Sequence, residues 1–335
     1  MPRPLTVILG AGSTGKTTIA TAIALTRPGH ATVLARRARG EDVAATFAVA
    51  DYDLSDDDPG RADAVRVASP LAVLDEGEPA ALTRRREQAA VDKVAQAGGF
   101  AFQALPGVRW FSRSALVLSS PERMFRHDAK ATVSFDDATR ADVSRETKQV
   151  LAYAAIAAAL VRDGDGADRR GVLAFERALV SALEALAPVT GFRFVGACPS
   201  TFEPLFLPAE EAGPRDAGPM DRTRPLPFDD LPTAARHLIS FVALPLRSLA
   251  AAYPDRPPGA AEGVVVVDDA DLHQAPAVLR ALPAALVLAL PRVQWILTTG
   301  SAELAAGVPE SALLTLRRVS TSSIAVFSGA EASTH

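Results

Sequence analysis

The sequence predicts an α/β fold, and two short stretches carry that prediction. Residues 5–25 contain an apolar strand, a glycine-rich loop and an apolar helix in succession. Residues 264–269 are four valines followed directly by two aspartates. A short β-branched run without alternation is typical of a strand that is covered on both faces, as central strands of a parallel sheet are. We therefore expect a core sheet that has helices packed against it.

The glycine-rich loop fits the pattern G-x-x-x-x-G-K-[ST] that defines a P-loop, and it lies between a strand and a helix as that motif requires. Its glycines let the backbone form a nest of N–H groups around phosphate, and the helix N-terminus adds the positive end of its dipole. Lys16 is expected to reach the β and γ phosphates, and the Thr17 hydroxyl is expected to bind Mg²⁺. The predicted nucleotide-binding residues are Gly10, Ala11, Gly12, Ser13, Thr14, Gly15, Lys16, Thr17 and Thr18.

The acidic stretch supplies the second half of the predicted site. A P-loop needs another protein contact for Mg²⁺, usually a carboxylate at the end of a neighbouring strand. Asp268 is predicted to hold this metal with Thr17, directly or through water. Asp269 is predicted to lie beside the γ phosphate as a general base, so Asp269 and Lys16 are the candidate catalytic residues. The alternative interpretation is a strand that ends in a solvated acidic turn.

Composition narrows the class of protein. The 335 residues are 48% hydrophobic and 22% charged, which is ordinary for a globular protein. The formal net charge of -4 gives no global attraction to nucleic acid or to an anionic membrane. The single cysteine, Cys198, excludes an internal disulfide framework and fits a reducing compartment. Because the sequence shows neither a secretory signal pattern nor a run of about 18 apolar residues, we expect a cytoplasmic protein.

The distance along the chain between the two motifs predicts a long insertion. Small-molecule P-loop kinases and GTPases usually place the second acid much closer to the P-loop. We expect residues 1–50 to form the N-terminal part of a P-loop core and residues 229–335 its C-terminal part. Residues 51–228 are then an inserted strand and helical subdomain that ends in a linker rich in proline, glycine and charge over 208–228.

Sequence patterns place further elements within these parts. Helices are predicted over 144–162, 169–186 and 233–253, the last with a kink near Pro245. A strand followed by a basic turn is predicted over 31–39. Several short strands are predicted within 100–124, and a closing hairpin of 313–318 with 324–328.

Residues 263–301, together with the P-loop, resemble the SMC-like, ABC-class ATPases, the branch that includes the overcoming-lysogenization-defect nucleases. That family shows an apolar strand ending in two acids, then an acidic-Leu-His segment up to a proline, a helix, and a Pro-x-Val-Gln-aromatic strand ending in Thr-Thr. Here these are Asp268-Asp269, the segment 271–276, and residues 291–301. The resemblance implies that Mg·ATP binding and hydrolysis act as a switch that brings two heads together, as a homodimer or with a heteromeric ATPase partner. A role on nucleic acid follows by family analogy only.

Three positions depart from the family pattern. The second acid is Asp269 where the family has a glutamate, and Gly300 stands where the family has a histidine that contacts the γ phosphate. The signature loop corresponds to residues 231–236, in which Thr233 can supply a hydroxyl and Ala234 replaces a residue without a side chain. The shorter acid at Asp269 and the missing histidine at Gly300 both act on the chemical step, so we expect normal ATP affinity and slow hydrolysis.

Two alternatives stay open on the sequence. One is a catalytically inactive, ATP-dependent regulatory or scaffold module. The other is a P-loop kinase that acts on a small molecule, which would need an acceptor pocket and a mobile arginine lid; the sequence shows no clear lid motif.

Overall fold

A computed structural model describes residues 4–25, 49–52, 65–68, 79, 89, 93, 95–99, 101–127, 141–161, 168–210, 224–321 and 323–333. The strands are β1 (Leu5–Gly10), β2 (Val49–Tyr52), β3 (Val65–Ala68), β4 (Ala101–Leu105), β5 (Phe192–Ala197), β6 (Pro204–Pro208), β7 (Leu226–Pro227), β8 (Gly263–Val267), β9 (Val293–Thr299), β10 (Leu313–Arg318) and β11 (Ile324–Ser328). The helices are α1 (Lys16–Leu25), α2 (Pro121–Met124), α3 (Ser144–Val161), α4 (Asp168–Thr190), α5 (Thr233–Ala252), α6 (Pro276–Ala289), α7 (Ala302–Ala306) and α8 (Ala330–Ser333).

The core is a six-stranded sheet in the order β11-β10-β1-β9-β8-β4. All neighbouring pairs are parallel except β10 with the edge strand β11. In register, Val7 of β1 and Val267 of β8 both lie opposite Leu297 of β9. Because the strands run in the same direction, β1, β8 and β9 end at one edge of the sheet, where ligands bind in open α/β sheets. This arrangement confirms the predicted α/β P-loop core.

Alternate residues of the central strands face two different helical layers. Ile8, Val266 and Ile296 pack with Ala20 of α1 in a small cluster on one face. Val7, Val265, Val267, Trp295 and Leu297 belong to a larger cluster on the other face, together with residues of α4, α5 and α6. The unbroken valine run of β8 is therefore explained by burial from both sides.

Most of the predicted elements are present with small changes at their ends. The closing hairpin is the antiparallel pair β10–β11, and Pro245 lies inside α5. The expectation of several strands within 100–124 is wrong. Only β4 is a regular strand there, because the following backbone pairs with the entry to α3 through one bridge, Trp110 with Asp142. The predicted strand over 31–39 lies outside the described residues.

The predicted division at residues 50 and 228 stays a prediction. Within the 51–228 segment, β4 pairs with β8 in the core sheet, while α3, α4 and the antiparallel sheet β5-β6-β7 lie elsewhere along that segment. Residues 211–223 of the predicted linker lie outside the described part of the chain. Among the helices that the structure describes, none is both long enough and apolar enough to cross a membrane.

Candidate functional site

The P-loop forms between the end of β1 and the start of α1. Ser13 and Gly15 adopt positive φ angles of 62° and 85°, which turn the chain sharply. The Thr14 hydroxyl donates to the Ala11 carbonyl at 2.8 Å, and a side chain at Gly10 would collide with that hydroxyl. The loop is thus fixed from within.

Lys16 begins α1 at the end of this loop. Its ammonium donates to the carbonyls of Gly10 at 2.9 Å and Ala11 at 3.2 Å, so the charge is held over the start of the loop. The next residue, Thr17, is half-buried, and its carbonyl accepts from Thr21 one turn later. Lys16 and Thr17 therefore lie at the helix N-terminus, where the dipole favours an anion.

The acidic turn directly follows β8. Asp268 is only 1% exposed, and its Oδ1 accepts a hydrogen bond from the Thr298 hydroxyl at 2.6 Å. The same hydroxyl accepts from the Asp269 amide at 2.9 Å, and Asp269 has a positive φ of 45°. Thr298, near the end of β9, therefore holds both acids in one fixed turn. This role was missed by sequence reasoning, although the Thr-Thr pair belongs to the recognised motif.

Gly107, in the turn after β4, lies against both carboxylates. A Cβ at this position would come within 2.9 Å of Asp269 Oδ2 and 3.2 Å of Asp268 Oδ2. Only a residue without a side chain fits there unless the acids move. The two Oδ2 atoms therefore both lie close to Gly107.

Burial raises the pKa of Asp269, and the neighbouring Asp268 raises it further. The charges of Lys16 and Arg109 act in the opposite direction on the same pKa. A raised pKa makes a carboxylate a stronger base, which is what proton abstraction from water needs. The influence of Lys16 on Asp269 shows that the P-loop and the acidic turn share one electrostatic environment.

Arg109 lies in the same turn region and is 4% exposed. Its guanidinium donates to the carbonyls of Asp268 at 2.6 Å, Asp269 at 2.9 Å and Pro106 at 3.0 Å. Burial lowers its pKa to about 10, while the nearby acids, Asp268 first, raise it, so the group stays charged at neutral pH. Sequence reasoning did not single out this residue. The available signal was an arginine in the otherwise apolar run Val-Arg-Trp-Phe after a Pro-Gly turn.

The signature-like segment 231–236 begins α5 and contacts the residues after the acidic turn. The side-chain amide of Gln274 donates to the Ala234 carbonyl at 3.1 Å. Thr233, the candidate hydroxyl, accepts from Arg236 at 3.1 Å. One turn further along α5, His237 is 1% exposed and its Nδ1 accepts from Arg109 Nε at 2.7 Å. Burial lowers the pKa of His237 to about 3, with Arg109 as the next cause.

The end of β9 lies beside the P-loop. A Cβ on Gly300 would be 3.8 Å from the Gly10 carbonyl, an ordinary contact. The position is held by Asp271, whose Oδ1 accepts from the Thr299 hydroxyl at 2.7 Å and from the Gly300 amide at 3.4 Å. Gly300 is therefore next to the loop that is predicted to hold phosphates, with space for a side chain.

The residues present fit a magnesium–nucleotide site of the P-loop kind. Such a site takes one hydroxyl and one carboxylate from the protein and fills its other positions with water and phosphate oxygens. The Thr17 hydroxyl and the Asp268 carboxylate are the candidate ligands. Within the ranges that the structure describes, no group of three or more His, Cys, Asp or Glu side chains is arranged to hold a metal ion by itself.

Comparisons with known proteins find similarity among solved structures. No protein-family model matches the chain, and no curated protein matches it in sequence. The chain is similar to the SMC head bound to the C-winged helix domain of ScpA, with a TM-score of 0.49 and 14% identity over 97% of this chain and 90% of that one.

Two further structures come from the same kind of protein. The SMC head domain with an extended coiled coil bound to the C-terminal domain of ScpA, derived from Pyrococcus furiosus, has a TM-score of 0.42 and 15% identity over 97% of this chain and 90% of that one. A structure described under ATP-driven dimerization and DNA-stimulated activation of SMC ATPases has a TM-score of 0.30 and 15% identity over 46% of this chain and 84% of that one. Likeness at this level does not by itself establish a shared fold, so the assignment to a P-loop core rests on the strand order and on the loop between β1 and α1. The three solved structures named here, to which this chain is similar, are described as SMC heads or SMC ATPases.

Proposed function

We propose that this chain is an ABC-class ATPase head that binds Mg·ATP and hydrolyses it slowly, as a switch for association with a second head. One observation carries the proposal: the P-loop and the acidic turn meet at one edge of the sheet, close enough for the Lys16 charge to lower the pKa of Asp269. A cation-bearing phosphate loop beside paired carboxylates is what phosphoryl transfer from a nucleotide requires.

Each residue then has a distinct role. The backbone amides of residues 10–18 and the Lys16 ammonium bind the phosphates. Thr17 and Asp268 would hold Mg²⁺, which when bound offsets negative charge on the phosphates. Asp269 polarises the attacking water and accepts its proton, because its raised pKa favours the protonated product of that step.

Slow turnover follows from two residues at the γ phosphate. Asp269 has a shorter reach than a glutamate would have from the same backbone, and an error of about an ångström costs roughly 100-fold in rate. Gly300 lies beside the P-loop but offers no side chain to the γ phosphate. Neither change weakens ground-state contacts to ATP, so binding is retained while the chemical step is slow.

The second candidate is an ATP-dependent binding module without turnover. It is favoured by Gly300 and by Ala234, where a methyl group stands at the start of α5 in the segment expected to contact the opposite head's nucleotide. The two candidates share the nucleotide site and differ only in phosphate release.

Titration of a fluorescent ATP analogue tests the shared site. Lys16→Ala should abolish most of the affinity, because it removes the side-chain cation aimed at the β and γ phosphates. Lys93→Ala, at an exposed lysine, is the matched control and should bind as wild type does. Equal affinities for all three proteins would exclude the P-loop interpretation. A phosphate-release assay on wild type and Asp269→Asn then separates a slow ATPase from an inactive module.

A further inference from the structure

We propose that Arg109 is a positioning residue that fixes the acidic turn and carries the position of helix α5 to it through His237. The expected effect of Arg109 on kinetics rests on the proposed function. The contacts of Arg109 that support the inference are independent of that function. The arginine has contacts on both sides of this connection: the main chain of the acidic turn on one side and a histidine of α5 on the other.

Arg109 holds the main chain of the acidic turn. Arg109 donates to the carbonyls of Asp268 and Asp269, and so it holds the two peptide groups on either side of the Asp269 Cα. Asp269 has a φ of 45°, a conformation that non-glycine residues adopt only when surrounding contacts impose it. The direction of the Asp269 carboxylate depends on that conformation. Arg109 and Thr298 are among the groups whose hydrogen bonds hold Asp269 in it.

Arg109 also brings a positive charge to the acidic turn. The hydrogen bonds of the guanidinium to these acids go to their main-chain carbonyl oxygens and not to their carboxylates. Its buried positive charge lies near both acids because it donates to their main-chain carbonyls, and these acids in turn raise the pKa of Arg109 against the lowering by burial. Arg109 therefore offsets part of the repulsion between two adjacent carboxylates without occupying the space in front of them.

Arg109 also contacts helix α5. Arg109 Nε donates to His237 Nδ1 at 2.7 Å, and the imidazole packs edge-on against Phe111 at 4.9 Å between ring centres. The guanidinium also lies 4.8 Å from the centre of the Phe241 ring, one turn further along α5. Two residues of this helix thus hold Arg109 from behind. A displacement of the start of α5, where a second head is proposed to bind, would move His237 and with it the donor that grips the acidic turn.

Hydrogen–deuterium exchange tests the structural part without any nucleotide. Arg109→Met should speed exchange by about tenfold or more at the amides of 266–274, which the turn contacts protect. His237→Phe keeps the ring packing and removes the acceptor, so it should act in the same direction with a smaller change. Arg247→Met is the matched control: it removes an arginine of α5 whose partner is Glu146 on the protein surface, and exchange at 266–274 should stay as in wild type.

Steady-state kinetics test the functional part. Arg109→Met should lower kcat by about 10- to 100-fold with KM changed by less than about threefold, because a misplaced base affects the transition state more than ATP binding. Arg109→Lys keeps the charge and loses the planar set of donors, so it should recover little of kcat. Full recovery by lysine would show that charge alone matters and would contradict the proposal.

The outcomes separate this inference from the proposed function. If wild type shows no ATP binding that depends on Lys16, the proposed function is excluded. The exchange data would still decide the role of Arg109. Exchange that is unchanged at 266–274, or faster throughout the chain to the same degree, would overturn the positioning role even in an active ATPase. If Arg109→Met fails to fold, Arg109→Lys and His237→Phe supply the same comparison.

Discussion

In the proposed function, Asp269 and Gly300 are the two residues that offer least to the γ phosphate, because Asp269 is one methylene shorter than a glutamate and Gly300 has no side chain. Asp269 is held at a φ of 45° by its neighbours, and Gly300 is not at a positive φ. A Cβ on Gly300 meets only the Gly10 carbonyl, at 3.8 Å. The backbone at residue 300 therefore accepts a side chain without strain.

The double change Asp269→Glu and Gly300→His should raise kcat for ATP hydrolysis more than it alters KM. A preorganised contact at the γ phosphate contributes about 3–4 kcal/mol at a competent site, which sets the upper limit of the gain. Gly300→Ala, which adds the Cβ without the imidazole, is the control for local packing. A double variant with the wild-type melting temperature and unchanged turnover would show that these positions do not limit hydrolysis.

His237 is a buried neutral histidine, and its pKa of about 3 lies well below the ordinary 6.5. A group whose pKa is lowered by folding contributes full stability above its unfolded pKa and loses that contribution as pH falls toward its folded pKa. The charged groups that bear on it are Arg109, His273 and Arg236. Stability should therefore fall between pH 6.5 and 3 in part because the unfolded chain binds a proton that the folded chain excludes.

His237→Phe should flatten this pH dependence while lowering stability at neutral pH. At pH 7.5 we expect a loss of about 1–3 kcal/mol, since Arg109 Nε is left without its acceptor. Between pH 6.5 and 4.5 the variant should lose less stability than wild type, by up to about 1.4 kcal/mol per pH unit. Urea denaturation at several pH values measures both effects. Phe111→Leu disturbs the same packing without removing a titratable group, so a flattened slope in that control would argue against His237.

Among the elements, α3 is tied to the entry of α5 by one buried cation. The Lys148 side chain is 0% exposed and forms ion pairs with Asp229 at 2.9 Å and Glu203 at 3.3 Å. Asp229 lies just before α5, and Glu203 just before β6. This lysine thus connects the helical segment, the small antiparallel sheet and the start of the signature-like segment.

Lys148→Met should destabilise the fold strongly, because it leaves two carboxylates facing each other without a cation. Breaking a fully buried pair costs about 3–5 kcal/mol; here both acids keep 21% exposure, so we expect a smaller loss, about 2–4 kcal/mol. Urea denaturation of Lys148→Met against Lys93→Met, at an exposed lysine, measures it, and the control should stay within about 0.5 kcal/mol of wild type. Equal midpoints for both variants would show that the buried pairs contribute nothing.

In the whole molecule, residues from both ends of the chain meet at one sheet edge. The P-loop, the acidic turn and the end of β9 lie side by side there, and the start of α5 contacts the acidic turn region through Gln274. In the proposed function this edge is where a second head closes over the nucleotide.

Mg·ATP should double the mass of Asp269→Asn measured by size exclusion with light scattering. The substitution slows hydrolysis and leaves the phosphate contacts intact, so the ATP-bound state persists. Lys16→Ala should keep the nucleotide-free mass under the same conditions. A single unchanged mass for Asp269→Asn, with ATP binding demonstrated separately, would contradict self-association and point to a heteromeric partner.

The sequence by itself determined the elements whose signal is local. The P-loop needs glycines and Lys16 at fixed spacing, and a valine run that ends in Asp268 and Asp269 has few stable environments other than a buried strand at a polar edge. These patterns predicted β1, α1 and β8. The closing hairpin and the long helices were predicted in the same way, from periodicity within each segment.

Only the tertiary structure decided what surrounds the acids. Arg109 lies 159 residues from Asp268 along the chain, with Gly107 two residues before it. Their roles exist only because β4 pairs with β8 and brings the Pro-Gly turn against the carboxylates. The sequence placed β4 in the inserted segment because its pairing partner, β8, lies far from it along the chain. Contacts between distant segments depend on which strands become neighbours, and no local pattern of residues 101–109 specifies that choice.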